Sequence, residues 1–189
     1  MRYRQTMSAG LLGMFLAIAS TLSGQTGSET FSATATVKTA GGASVSAPVT
    51  ITVDRKMPQS EADKFTAAFK TGGVAGLRKA LAGVAPTGSV QLGAGAATPT
   101  RLTLERTTGN GRLLTIVTDK PILFLGAGLP EAKPREGYDF AVIDIEVDAK
   151  GSGSGTLAPA AKVALNQGAF VVQDYGSEAV QLTGVRKTK

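Results

Sequence analysis

The chain has no cysteine, no histidine and no tryptophan among its 189 residues. Without Cys there is no disulfide, no thiolate nucleophile, no Cys-ligated zinc or iron–sulfur cluster and no lipid anchor on a thiol. Without His the commonest general base, transition-metal ligand and physiological pH switch are gone. Neither a Ser-His-Asp nor a Cys-His arrangement can be assembled within this chain. Carboxylates, Lys, Tyr, Ser, Thr and backbone dipoles remain for chemistry. Aromatics are also scarce, at 5%, and charged residues make up 18%. Against these stand 42% hydrophobic residues and 24 Gly, the balance of a folded chain with Gly-rich turns and not of a disordered one. A chain of this length fits a single domain, able to bury about 70% of its unfolded surface.

The opening residues are charged, Met1-Arg2-Tyr3-Arg4, and then no charge appears from Gln5 to Ser28. Ala9 to Ala19 is the apolar heart of that run, followed by the small residues Ser20, Ser23 and Gly24. This is the pattern of a secretory signal peptide over residues 1–24. A bilayer span needs about 20 mostly apolar residues, and Thr21, Ser23, Gln25, Thr26 and Ser28 dilute the second half of this run. The expectation is therefore cleavage near Ser20 to Gly24, export to the periplasm or the extracellular space, and no membrane span after cleavage. Losing Arg2 and Arg4 takes the 20 basic side chains to 18, against 14 acidic, a formal +4 in place of +6. The remaining basic charge is scattered, where nucleic-acid binders cluster it and interleave it with aromatics. No nucleic-acid partner is expected.

Residues 25–189 read as a single, mostly β domain. Phe31, Ala33, Ala35 and Val37 alternate with Ser32, Thr34, Thr36 and Lys38. After Gly41-Gly42, Val45, Ala47, Val49, Ile51 and Val53 alternate with Ser, Pro, Thr and Asp. Period two on both sides of a glycine turn predicts a hairpin of half-buried strands. Pro48 cannot donate to a ladder, so that part of the second strand belongs at an edge or bulge. The period then changes. Ala62, Phe65, Ala68 and Phe69, then Val74, Leu77, Ala80 and Leu81, fall at helical spacing on either side of Thr71-Gly72-Gly73. This predicts a helical hairpin over about 60–83, with Ser60 as N-cap and Asp63 completing a loose capping box. Strands return at Ser89–Leu92, Arg101–Thr107, Arg112–Thr118, Ile122–Leu125, Phe140–Asp148, Ala160–Leu165, Ala169–Asp174 and Ala179–Arg186. Gly93–Pro99 and the GSGSG run Gly151–Gly155 read as flexible loops. The fold class is α+β, predominantly antiparallel β, as a sandwich or partly closed barrel with an inserted helical hairpin.

The most pointed constellation lies on one strand. Ala141, Ile143, Ile145 and Val147 form an apolar face, and Asp144, Glu146 and Asp148 follow one another on the other, about 7 Å apart by strand rise. Three carboxylates in a row suit a hard cation such as Ca²⁺, or an acid and a base for glycoside cleavage. The plain alternative is a solvated face paired with Arg101, Arg112 or Lys162, worth about 0.2–1 kcal/mol per pair. Gly93-Ala94-Gly95 and Gly126-Ala127-Gly128 lack the third Gly, the following helix and the βαβ setting of a dinucleotide site. No SxxK follows residue 24, and no GxSxG occurs in the chain. The unbroken apolar run Ile122–Leu125 suits a strand buried on both faces or the lining of an apolar cavity. No cofactor is called for. The expectation is a non-catalytic binding or structural module of the cell envelope or secreted fraction, not an enzyme. Its alternatives are a carrier holding a small hydrophobic ligand inside a β-barrel and a carboxylate-dependent hydrolase. Partners are then a protein, a polymer or a small hydrophobic molecule.

Overall fold

A computed structural model describes residues 27–38, 42–122, 136–166, 169–174 and 179–189. The expected leader at 1–24, the Leu123–Leu125 part of the apolar run and the Gly126–Gly128 motif lie outside the described residues.

Nine strands and one helical segment follow in the order β1 (Glu29–Lys38), β2 (Ser44–Val53), α1 (Gln59–Ala82), β3 (Gly88–Leu92), β4 (Thr98–Thr108), β5 (Gly111–Thr118), β6 (Phe140–Val147), β7 (Ser152–Asn166), β8 (Ala169–Asp174) and β9 (Val180–Lys187). Every pairing is antiparallel. Strands β1 to β6 meander, β6 pairs β7, β7 pairs β9, and β9 returns to β1. The eight-stranded ring is closed, so the barrel option is realised in full and the sandwich is not. Strand β8 hangs outside the ring, paired to the far half of β7.

The alternation read from the sequence sets the inside. Phe31, Ala33 and Ala35 of β1, Val49, Ile51 and Val53 of β2, Ile143, Ile145 and Val147 of β6, and Leu182 of β9 join one buried cluster inside the described ring. An eight-stranded barrel is just wide enough for side chains to fill it. Ile122 packs into the same cluster. Apart from Lys38 and Pro48, the outward residues of β1 and β2 are Ser and Thr, half-buried or exposed. Pro48 lies opposite Thr34, one residue past the β2–β3 pairing, which ends at Val49 and Leu92; its carbonyl still accepts Gly93 N–H at 2.8 Å, so its missing N–H falls at the end of that ladder and not on an edge strand.

Closure needs local bends. Between Gly153 and Gly155, and again between Ser32 and Thr34, β9 carries one residue more than its neighbour. Gly184 supplies the kink with a φ of 61°, a conformation that costs other residues a Cβ clash. The ladder between β6 and β7 slips between Phe140 and Val142, opposite Pro159. Beyond that point β7 leaves the ring and forms its hairpin with β8.

The GSGSG run is not a flexible loop. It is the start of β7, hydrogen-bonded to β6 and β9 together. Gly153 lies opposite Val147 and Val185, and Gly155 opposite Ile145 and Leu182. The glycines stand in the register of lumen residues, although Gly153 is exposed and Gly155 half-buried, and Ser152 and Ser154 are exposed. Period two is present here, with Gly standing in the apolar positions.

One mouth of the barrel is closed by charge. Glu29 on β1 takes both Arg112 guanidinium nitrogens, at 2.9 and 2.8 Å, and Lys187 at 2.8 Å. Lys56 bridges Glu29 at 3.1 Å and Glu105 at 2.6 Å, and Arg112 also reaches Glu105 at 2.7 Å. The guanidinium lies 5.9 Å above the Phe31 ring, so the network caps the apolar lumen directly. Arg112 holds the Glu29 carboxyl far below its usual range, with Lys187 and Lys56 acting the same way against the opposing effect of burial. Thus Arg112 is not a partner of the β6 carboxylates. Nor is Arg101, which pairs with Asp119 at 3.0 Å, and Lys162 sits opposite Asp174.

Helical segment α1 covers the outer wall. Ala62, Phe65, Leu77 and Leu81 are buried against Leu102, Val117, Phe140, Val142, Ala158 and Val163 of the barrel strands. The segment is one element with a break at Gly73, where φ is 58° and ψ is −149°. A Cβ on Gly76 would lie 2.5 Å from the carbonyl oxygen of Ala68. Eight residues along a straight helix span about 12 Å, so the break brings the two halves together. The cap differs from expectation. Pro58 is the N-cap residue and makes no side-chain bond; Ser60 is inside the helix, and Gln59 donates to Asp63 at 3.0 Å. The segment is anchored by its approach: Met57 N donates to Thr103 O at 2.8 Å, and Asp54 N to Thr87 O at 2.9 Å.

Candidate functional site

A groove of about 800 Å³ lies between three elements. Its floor is the outer wall of β4, β5 and β6. One side is α1, through Leu77, Leu81 and Thr66, and the other is the β7–β8 hairpin, through Val163, Phe170, Val171 and Val172. The edge-to-face pair Phe69–Phe170, 5.9 Å between centroids, ties α1 to β8 across one end. Val171 is 37% exposed and is the exposed large hydrophobic residue of the described chain. The groove thus exists because β7 outruns the barrel and brings β8 back toward the helix.

Three charged side chains reach the groove: Glu105, Arg106 and Asp144. Glu105 already serves Lys56 and Arg112. Burial works to raise its carboxyl, and hydrogen bonds from those two cations outweigh it, leaving it below the usual range. Asp144 differs. It sits on β6 between Thr115 of β5 and Thr156 of β7, and Thr115 Oγ1 donates to its Oδ1 at 2.5 Å. Burial raises its pKa above the usual carboxylate value, and the Thr115 hydroxyl and the charge of Arg106 only partly oppose that. Burial disfavours the ionised form, which is the reason for the shift.

The three carboxylates do not act as a set. Asp144 lines the groove, while Glu146, opposite Leu113 and Ser154, is exposed and outside it. Asp148 lies past the end of β6 and organises the turn into β7. It accepts the backbone N–H groups of Ser152 at 2.9 Å and Lys150 at 2.8 Å, and the Ser152 bond leads in holding its carboxyl below the usual value. Among the described residues, no three acidic side chains come together as a metal site. Gly93-Ala94-Gly95 forms a turn, with Gly93 N donating to Pro48 O at 2.8 Å and Gly95 N to Leu92 O at 3.1 Å.

Thr115, Arg106 and the β8 wall were not legible as site residues. One signal was available. The outward face of β6 begins Phe140, Val142 and only then turns acidic at Asp144, so its first half had to be covered by something.

The raised pKa gives a stability prediction. A carboxyl whose folded pKa exceeds its unfolded one costs stability above that folded pKa and costs nothing below the unfolded value. Asp144→Asn keeps an oxygen for the Thr115 hydroxyl and removes the charge. Its melting temperature at pH 7 is expected to equal or exceed that of the parent, with the gain shrinking as the pH falls toward 4. Thermal denaturation across pH 4–8 checks this; a clear loss at pH 7 contradicts it.

No protein-family model, curated protein or solved structure matches this chain.

Proposed function

We propose that this is an exported, non-catalytic binding module whose site is the groove between α1, the barrel wall and the β7–β8 hairpin, and that the occupant is a small, largely apolar molecule. The observation that carries the reading is the groove itself. Its volume of about 800 Å³ falls in the size range of small-molecule pockets, and mostly apolar walls with a few placed polar groups are the usual composition of such sites. The described lumen is lined by buried apolar side chains, and the groove offers apolar space on the outer wall of the barrel, which is where this reading places the ligand. Export rests on the charged start and apolar run of residues 1–24. A non-catalytic role accords with the missing imidazole and thiol and with the separation of Asp144 from Glu146 and Asp148.

The test uses the neutral fluorophore N-phenyl-1-naphthylamine. Binding is expected with Kd in the range of about 1–100 μM. Leu104→Trp, which fills the floor of the groove, is expected to weaken it about tenfold or more while the circular dichroism spectrum and melting temperature are held. A folded parent protein that gives no fluorescence enhancement overturns the proposal, as does undiminished binding by folded Leu104→Trp.

A further inference from the structure

Resting on the groove as the binding site, we infer that its occupant is an amphiphile with a cationic amine head, held by Asp144, and that amphiphilic carboxylates are rejected.

The argument starts from where charge sits in the groove. Glu105, Arg106 and Asp144 face it. The Glu105 charge is matched by Lys56 and Arg112. Arg106 acts on Asp144 through its charge, but it is exposed, so water and salt weaken that effect and it offsets the burial of Asp144 only in part. Asp144 is the carboxylate set into the wall, beside the apolar floor residues Val142, Leu104 and Val117. Thr115 donates to its Oδ1, which leaves Oδ2 without a donor among the described residues. A carboxylate half removed from water accepts more than one hydrogen bond when it can, because each charge-assisted bond offsets desolvation.

An ammonium group at this point donates to Oδ2 and pairs the charge in a low-dielectric setting. An alkyl tail attached to it runs along Leu77, Leu81, Phe170 and Val172. A ligand carboxylate in the same pose meets Asp144 across an apolar wall, where like charges repel most strongly. A neutral alcohol falls between the two. The chain is positive, +6 by formal count in full and +4 without residues 1–24 (18 basic against 14 acidic), so non-specific attraction favours anions. A preference for amines is therefore a property of this site and not of the overall field.

The experiment compares decylamine, decanol and decanoate, each below its critical micelle concentration, as competitors of N-phenyl-1-naphthylamine at pH 7. The parent is expected to bind decylamine about tenfold or more tightly than decanol, and decanoate least, the size of one charge-assisted hydrogen bond. Asp144→Asn, with its fold checked by circular dichroism and its own fluorophore Kd measured first, is expected to lose the amine preference, so that decylamine and decanol compete equally. Decyltrimethylammonium, which keeps the charge but has no N–H, is expected between decylamine and decanol. Equal binding of the three ten-carbon ligands overturns the inference, and so does a preference for decanoate or an amine preference surviving in Asp144→Asn. In each of those cases the fluorophore still binds and the groove stands. If the fluorophore does not bind, the groove reading falls and this inference with it.

Discussion

Gly153→Ala is expected to destabilise the protein by about 3 kcal/mol or more, the upper end of what an overpacking substitution costs. A Cβ on Gly153 would lie 1.8 Å from the carbonyl oxygen of Glu146 and 3.0 Å from the Cα of Val147. Both are backbone atoms of β6, so no side-chain rotation relieves the clash. Strand β7 has to move away, and it is hydrogen-bonded on its other side to β9, so relief on one ladder strains the second. The same holds at Gly155, where the Cβ would lie 2.2 Å from the Asp144 carbonyl oxygen and 2.8 Å from Ile145 Cγ2. Gly155→Ala is therefore expected to disturb the groove as well, by shifting the backbone that carries Asp144. Gly109→Ala is the control, since nothing lies within 4 Å of its added Cβ, and an unremarkable surface change stays within about 0.5 kcal/mol. Chemical denaturation of the three variants decides the matter. If Gly153→Ala is as stable as Gly109→Ala, β7 does not close the barrel in the manner described.

That closure also explains which parts of the fold could be read from the residues. Strands with apolar residues on alternate positions were legible throughout: β1, β2 and β6 fall where period two places them. The start of β7 was not, because its lumen-register positions are Gly153 and Gly155, and a pattern of hydrophobicity cannot register a residue with no side chain. Full ring closure was hidden for the same reason, since β7 is the strand that joins β6 to β9. In α1 the stripes of Phe65, Leu77 and Leu81 were plain, and so was the interruption at Gly73. Asp144 was legible as a carboxylate on the outer face of β6. Its separation from Glu146 and Asp148 was not, because it depends on β8 returning over the wall and on Asp148 being taken up by the turn, both of which are tertiary. The Glu29 network was beyond reach altogether: its five members come from β1, the β2–α1 connection, β4, β5 and β9, and nothing local joins them.

Glu29→Gln is expected to cost about 3 kcal/mol at pH 7, the lower end of what removing one partner of a buried ion pair costs. Three cations, Lys56, Arg112 and Lys187, share the Glu29 carboxylate, and its side chain is only 10% exposed. With the charge gone, Glu105 alone faces Lys56 and Arg112, and Lys187 loses its ion-pair partner among the described residues. For a chain of this size 1 kcal/mol moves the melting temperature by about 2–4 °C, so a fall of roughly 6–12 °C is expected. The pH dependence has a definite sign. The folded pKa of Glu29 is lowered, so its contribution is fully present above the unfolded value of about 4.5 and is lost as the pH falls from there toward the folded pKa. The parent and Glu29→Gln are therefore expected to differ most at pH 6–8 and to draw together progressively as the pH falls below about 4.5. Glu105→Gln removes a more exposed carboxylate with two partners and is expected to cost less. High salt separates the two, because exposed pairs are screened and enclosed ones much less so. A Glu29→Gln protein that melts with the parent at pH 7, or whose deficit persists undiminished at pH 3.5, shows that the mouth of the barrel is held by its strands and not by this carboxylate.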